Sequence, residues 1–330
     1  MDNFPKVSIG LPVYNGEATL ARTIESILKQ DYTDFEIVIS DNGSTDSTLL
    51  IAQRYAQLDS RIRIERFERN MGLIANFNRV FELSTGEFFM WASHDDEHET
   101  SFITQCLEGL RRDPEAALCA PKIKGIASEG PGGTWVSDLS SFRNKKSVVG
   151  RYRETLRHFP AVAIYGLYRS STIRKTSLLQ KVIGSDLLFI QELSLYGTFV
   201  DFDQTLFTYH GRKDWNTVDQ DYAVFYGRSR KPWYFSPFVM VAIHQLKIVS
   251  KCSHASLTKL QLFGVLARFQ VGQLLLKVIL KLVKYVVPAR YKLKFAEALY
   301  WRYIHSPNIQ AQADDDYVER IIRPIVGLRS

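Results

Sequence analysis

The residues best suited to chemistry stand in 87–97, EFFMWASHDDE. An apolar run over 88–92 breaks within two residues into Ser93-His94-Asp95-Asp96-Glu97, three acids in succession. Adjacent carboxylates repel one another and resist desolvation, so at the end of a buried strand they wait for a cation or a cationic partner. A solvated acidic turn ahead of a helix starting near Thr100 fits the same letters. A second polar stretch, Asp41-Asn42-Gly43-Ser44-Thr45-Asp46, follows another apolar run over 35–40. Asp41 reads either as a ligand-facing acid or as an Asx-turn residue before Gly43.

The elements that must position these groups alternate in type. Residues 7–11 are β-branched-rich and read as a first strand ended by Pro12. Leu20, Ile24, Ile27 and Leu28 then share one helical face, with Asn15 as cap and Glu17 in the first turn. Strands over 35–40, 61–67, 88–92 and 116–120 follow, with a helix over 76–83 stopped near Gly86. Strands alternating with helices imply βαβ units and a parallel sheet, whose ligands bind outside the carboxyl ends of the strands. That rule lines up 12–15, 41–46 and 93–97 along one edge. Residues 128–151 read as a long loop rich in Gly, Ser and basic residues, 186–195 as a helix and 199–202 as a strand. Beyond Trp233 the chain reads as helical and basic.

Composition bounds the function classes. The 330 residues are 45% hydrophobic and 23% charged, enough for a proper core and against disorder. A net charge of +7 favours anionic partners. The positive residues are scattered or tied to an apolar helix, which argues against nucleic acid. Three separated cysteines, Cys106, Cys119 and Cys252, argue for a reducing compartment and against a disulfide or zinc framework. The first residues show no charged-then-apolar leader, and no stretch reaches the roughly 18 apolar residues that span a bilayer. The expected place is the cytoplasm.

Read together, these stretches resemble the family 2 glycosyltransferases, inverting enzymes of the GT-A fold. Leu11-Pro12-Val13-Tyr14-Asn15 looks like the first-strand turn of that family. Residues 36–46 look like its second-strand motif, and Asn70-Met71-Gly72 with Asn78 and Gly86 looks like its next segment. Ser93-His94-Asp95 stands at the D-x-D position. The motifs occur in the family's order and cover the chain to about Trp215. The resemblance implies an α/β fold: a Rossmann-like, mostly parallel sheet flanked by helices, with a C-terminal helical extension. It divides the chain into a catalytic domain over 1–232, with a nucleotide-binding half (1–121) and an acceptor half (122–232), and a basic helical region over 233–330.

The same resemblance implies roles. The reaction would move a sugar from a nucleotide-diphosphate sugar, UDP or dTDP favoured, to a hydroxyl of a glycan or lipid-linked acceptor. A divalent cation, Mn²⁺ or Mg²⁺, would bridge the diphosphate as a Lewis acid and take hard oxygen ligands. Asp95 would hold it, although Ser93 replaces the first acid of the motif, and His210 would be a second ligand. Asp41 would accept from the imide N–H of the base. Pro12 and Tyr14 would shape the nucleotide slot, with Asn70 and Asn78 in the same subsite. Arg212, or Lys213, would neutralise phosphate. Asp186 occupies the place of the general base, with Ser185 where the family has Glu and Glu192 as fallback. Asp96 either assists or caps the helix ahead, His94 is the variable residue of the motif, and Trp135 and Trp215 could stack on sugars.

The tail lies outside the resemblance. Lys277, Lys281 and Lys284 recur at helical spacing on an otherwise apolar helix, which either packs with one wet edge or lies on an anionic membrane through 265–295. The membrane reading puts the protein on the inner face of the cell membrane, as for relatives that build surface polysaccharide. Two rivals stand beside the enzyme. One is a catalytically weakened scaffold on the same fold. The other is a nucleotidyltransferase, for which VYNGEATL is the wrong phosphate loop.

Overall fold

The computed structural model describes residues 6–127, 134–158, 161–211, 222 and 236–286. Nine strands form one sheet among them: β1 (Val7–Val13), β2 (Phe35–Asp41), β3 (Ile62–Arg66), β4 (Phe88–Trp91), β5 (Glu97–His98), β6 (Ala116–Ala127), β7 (Thr134–Ser137), β8 (Leu167–Arg169) and β9 (Thr198–Gly211). Their order is β3-β2-β1-β4-β8-β6-β9-β5, with β7 on β6. The first four strands pair in parallel, as the alternating pattern predicts. Past β4 the sheet is mixed, because β8 runs antiparallel to both β4 and β6 while β6 and β9 are parallel. Strand β6 runs through positions 121 and 122, so the two expected halves share one sheet.

Every residue of β1 is buried, which is why the parallel strands read as continuous apolar runs rather than alternating ones. Pro12 does not end the strand. It pairs with Ser40 on β2 and lies past Gly10, the last β1 partner of β4, so its missing N–H falls where the ladder has already stopped. The same logic corrects the expected stop at Pro121, where β6 continues through register shifts between Pro121 and Ile123.

The helices are α1 (Leu20–Leu28), α2 (Thr48–Leu58), α3 (Leu73–Glu82), α4 (Phe102–Arg112), α5 (Val148–Arg157), α6 (Ser170–Ile173), α7 (Ser185–Leu193), α8 (Pro237–Lys251) and α9 (Ser256–Val286). Part of the stretch expected as a long loop is therefore ordered, as β7 and the start of α5. Helix α5 buries Tyr152 and Leu156, and its Arg151 Nε donates to the Ser194 carbonyl at 2.9 Å. Asn15 does not cap α1, which starts after Thr19. Behind the carboxyl edge, Trp91 packs edge-on against Phe89 (4.8 Å), Tyr168 (5.6 Å) and Phe189 (5.2 Å), and its indole N–H donates to the Phe77 carbonyl at 2.9 Å. That cluster ties the end of β4 to α3, β8 and α7.

Candidate active site

The loops after β1 and β2 are built as one piece. Asn15 sits at φ 50, a left-handed conformation that Asn tolerates. Its backbone N–H donates to Ser44 Oγ at 2.9 Å, and its Oδ1 accepts from the Thr45 N–H at 2.9 Å. Gly16 N–H donates to Thr48 Oγ1 at 2.7 Å, and Ser47 N–H donates to Glu17 Oε2 at 3.0 Å. Asn76 on α3 clamps the two strand ends, its amide donating to the Ser40 carbonyl at 3.0 Å and the Val13 carbonyl at 3.3 Å. Sequence reasoning missed Asn76; its signal was a buried amide on the apolar face of α3.

Asp41, fully buried, closes β2. Its Oδ1 accepts from the Ser44 N–H at 3.0 Å, the Asx-turn arrangement, and its Oδ2 forms an ion pair with Arg66 Nε at 3.1 Å. Gly43 turns here at φ 72, and a Cβ would stand 2.7 Å from the Arg69 backbone, so only glycine fits. Asn42 donates to Asn70 Oδ1 at 3.0 Å and accepts from the Met71 N–H at 2.8 Å, which brings Asn70 to this loop. Arg66 also lines a cavity of about 430 Å³ with Phe67, Glu68, Arg69, Met71 and Arg79. Pro12 is buried under this edge and Tyr14 is exposed on it. Asn78 lies elsewhere: its side chain is spent on Leu179, accepting from the N–H at 3.1 Å and donating to the carbonyl at 2.9 Å.

The acidic loop after β4 is held differently. Asp95, half-buried, accepts from Ser93 Oγ through Oδ1, and its carbonyl accepts from Arg22 at 2.9 Å. His94 reaches Thr19 Oγ1 at 3.0 Å, which ties this loop to the first. Asp96 is not a helix cap; α4 begins after Ser101. Its carboxylate is fully buried: Oδ1 accepts from the His210 N–H at 2.9 Å, and Oδ2 has no hydrogen-bond partner. Burial first, then the neighbouring Asp95 charge, push its carboxyl up to about 8, against the pull of the His210 N–H. Glu97, unassigned by sequence reasoning, joins Arg22 Nε at 3.2 Å to His210 Nε2 at 3.0 Å. His210 thus stands beside the acidic loop with its ring turned to Glu97. Arg212, Lys213 and Trp215 lie outside the described residues.

Asp186 opens α7 behind Gly184, which is left-handed at φ 86. Burial raises its carboxyl above the usual range, opposed by the N–H groups of Leu187 and of Asp186 itself. Glu192 is committed instead to Ser177, accepting from its N–H at 2.8 Å and its Oγ at 3.1 Å. Trp135 contributes its backbone to the β6–β7 ladder opposite Gly125. A cluster of three metal-ligating side chains is absent among the described residues. Asp95 nevertheless suits a hard divalent ion shared with a diphosphate, since such ions take one or two carboxylates and complete their shell from phosphate and water.

The described residues thus form an open, mixed α/β sheet with three polar loops at the carboxyl edge of its parallel strands, one of them holding the raised acid Asp96. Residues 8–165, a little under half of the chain, match the model of Glycosyl transferase family 2. Among its relatives is the putative glycosyltransferase EpsE of Bacillus subtilis (strain 168), 40% identical over 97 residues, 29% of this chain and 35% of the relative. Another is chondroitin synthase of Escherichia coli, 34% identical over 126 residues, 38% of this chain and 18% of the relative. The matched segments thus span about a third or less of these two relatives. The fold is like that of S. aureus TarS 1-349 in complex with UDP-GlcNAc, with a TM-score of 0.59 and 18% identity over 98% of this chain and 92% of that one. It is also like the mannosyltransferase PcManGT of Pyrobaculum calidifontis in complex with GDP-Man and Mn²⁺, with a TM-score of 0.52 and 13% identity over 98% and 86% of the two chains.

Proposed function

We propose that the protein is an inverting glycosyltransferase that moves a sugar from a nucleotide-diphosphate sugar to a hydroxyl of a glycan or lipid-linked acceptor. UDP or dTDP is the favoured nucleotide. The observation that carries this reading is the packing of Phe189 on Trp91 at 5.2 Å. It joins the strand that delivers Asp95 to the helix that carries Asp186 in its first turn.

In this reading 1–121 receives the nucleotide and 122–232 the acceptor. Asp41, Asn70, Pro12 and Tyr14 form the base and ribose end, and Asp95 holds Mn²⁺ or Mg²⁺ against the diphosphate. When bound there, such an ion would supply Lewis-acid charge for the diphosphate. Asp186, its basicity raised by burial, takes the proton from the acceptor hydroxyl as that oxygen attacks the anomeric carbon from the face opposite the diphosphate. Inversion follows from that geometry. His210, beside the acidic loop, would be the second ligand of that ion, and Arg212, outside the described residues, is the candidate partner of the phosphates. Transfer from an α-linked donor, followed by proton NMR, should give a β-linked product; an α-linked product contradicts the mechanism.

The basic tail supports a peripheral place on an anionic membrane face. Residues 236–286 carry Lys247, Lys251, Lys259, Arg268, Lys277, Lys281 and Lys284 and no acid, and so balance the whole net charge of +7. Leu257, Leu260, Val271, Leu274 and Leu275 of α9 are exposed. Apolar side chains set among basic ones suit an anionic headgroup layer. No helix among the described residues is long and apolar enough to cross a membrane. Cosedimentation with phosphatidylglycerol vesicles should be strong at low salt and fall as salt rises; no binding at low salt refutes the membrane placement alone.

A further inference from the structure

Tyr165 ends a run of packed rings that starts in the core. His98 lies 4.8 Å from Phe207, Phe207 lies 5.4 Å from Tyr165, and Tyr165 lies 6.3 Å from Tyr209, the last two stacked at 27°. Tyr165 is the last residue of a 3-10 turn, Ala161–Tyr165, seated hard on β6. A Cβ at Gly166 would come 2.4 Å from Leu118 Cδ1 and 2.8 Å from the Cys119 carbonyl, and the Gly166 N–H donates to the Ala163 carbonyl at 3.0 Å. Close packing behind the turn and stacked rings beside it fix the phenol ring in one place.

That place is where the two halves of the site meet. Tyr209, stacked on Tyr165, precedes His210, whose N–H donates to Asp96 Oδ1 at 2.9 Å, and Tyr165 also packs on the cluster that holds Phe189 and Ile190 of α7. Asp95 and Asp96 belong to the loop that would face the diphosphate, and Asp186 belongs to the helix that would face the acceptor. Burial first, and then these acids, raise the phenol well above its ordinary range, so the hydroxyl keeps its proton and is a donor. A transferred sugar must lie between the departing diphosphate and the general base, because the bond that breaks and the bond that forms meet at its anomeric carbon. A donor hydroxyl on a ring packed between the strand pair of the acidic loop and α7 therefore borders the sugar.

We infer that Tyr165 is a positioning residue for the transferred sugar, its hydroxyl donating to a hydroxyl of the hexose and its ring bordering the slot. The inference rests on the transferase reading and adds a sugar contact to it. Pyranose hydroxyls are donors and acceptors, so a neutral phenol suits a donor hexose and offers nothing to the nucleotide or the diphosphate metal.

Tyr165→Phe keeps the ring and removes only the hydroxyl. The test titrates wild type and variant with UDP, dTDP and GDP, then with UDP-glucose, UDP-N-acetylglucosamine, dTDP-glucose and GDP-mannose, and measures donor hydrolysis with whichever conjugate binds. The expected result is an unchanged melting temperature and unchanged affinity for the bare nucleotide. The added affinity conferred by the hexose and kcat/KM for hydrolysis should each fall about 3- to 10-fold, the worth of one neutral hydrogen bond. Wild-type values for both in the variant overturn the assignment, as does an equal loss for the bare nucleotide and its conjugate. If wild type binds none of the nucleotides, the transferase reading fails first, a result distinct from either.

Discussion

The loops after β1 and β2 and the loop after β4 leave the same edge of the same sheet, yet they are held in opposite ways. In the first pair the polar groups are spent on one another: Asn15 on Ser44 and Thr45, Gly16 on Thr48, Asn42 on Asn70 and Met71. At the acidic loop Asp96 is fully buried with one oxygen unpaired, and at α7 burial raises the carboxyl of Asp186. Loops cross-braced in this way make a rigid seat, as nucleotide recognition requires. Under-partnered acids are costly in the resting protein and so point to chemistry. Binding and reaction are divided along the edge.

The comparison breaks most sharply at Asp186. Asp186→Asn should lower transfer about 10²- to 10⁴-fold, the range lost with a general base, and leave nucleotide affinity and melting temperature near wild type. Next is the clamp on the cross-braced side. Asn76→Ala removes the donor to the Ser40 and Val13 carbonyls, both at the buried ends of strands. It should cost about 1–3 kcal/mol in urea unfolding and weaken nucleotide binding along with it.

A smaller effect separates the two sides by pH. The folded value of Asp96 is raised from 3.8 to about 8, so the stability that goes with its neutral form is whole below pH 4 and is lost as pH rises toward and through 8. Asp96→Asn keeps an oxygen for the His210 N–H and cannot ionise. In EDTA its melting temperature should gain on wild type steadily from pH 4 to 8; parallel curves would show that Asp96 does not titrate there. Smallest is the outer face. Leu260→Ser on α9, exposed, should shift stability by no more than about 0.5 kcal/mol, read in the same unfolding experiment.

Much of the binding side was legible in the sequence. Strands β1, β2 and β4 announce themselves because both faces are buried, β3 shows through the alternation of Ile62 and Ile64, and the turn chemistry of 41–46 follows from Asp, Asn and Gly. On the reaction side the acids of 93–97 showed as a break from an apolar run and Asp186 only through the family resemblance, while the partner of Asp96 is His210, far along the chain and joined to it by the β5–β9 pairing. Residue-level caps failed for the same reason: Asn15 and Asp96 prefer partners brought by tertiary structure over the helix next to them. The helix α5 was lost because its buried face includes Arg151 and Glu154, which read as polar loop. The prolines misled where the local ladder, invisible in one strand, had no use for their N–H.

Calorimetric titration of UDP, dTDP and GDP, each with Mn²⁺, Mg²⁺ or EDTA, into wild type and Asp186→Asn tests the division most directly. One diphosphate should bind both proteins with the same affinity and lose most of it in EDTA. Binding lost in Asp186→Asn would contradict the division of labour along the sheet edge, and no binding of any diphosphate to wild type would contradict the transferase itself.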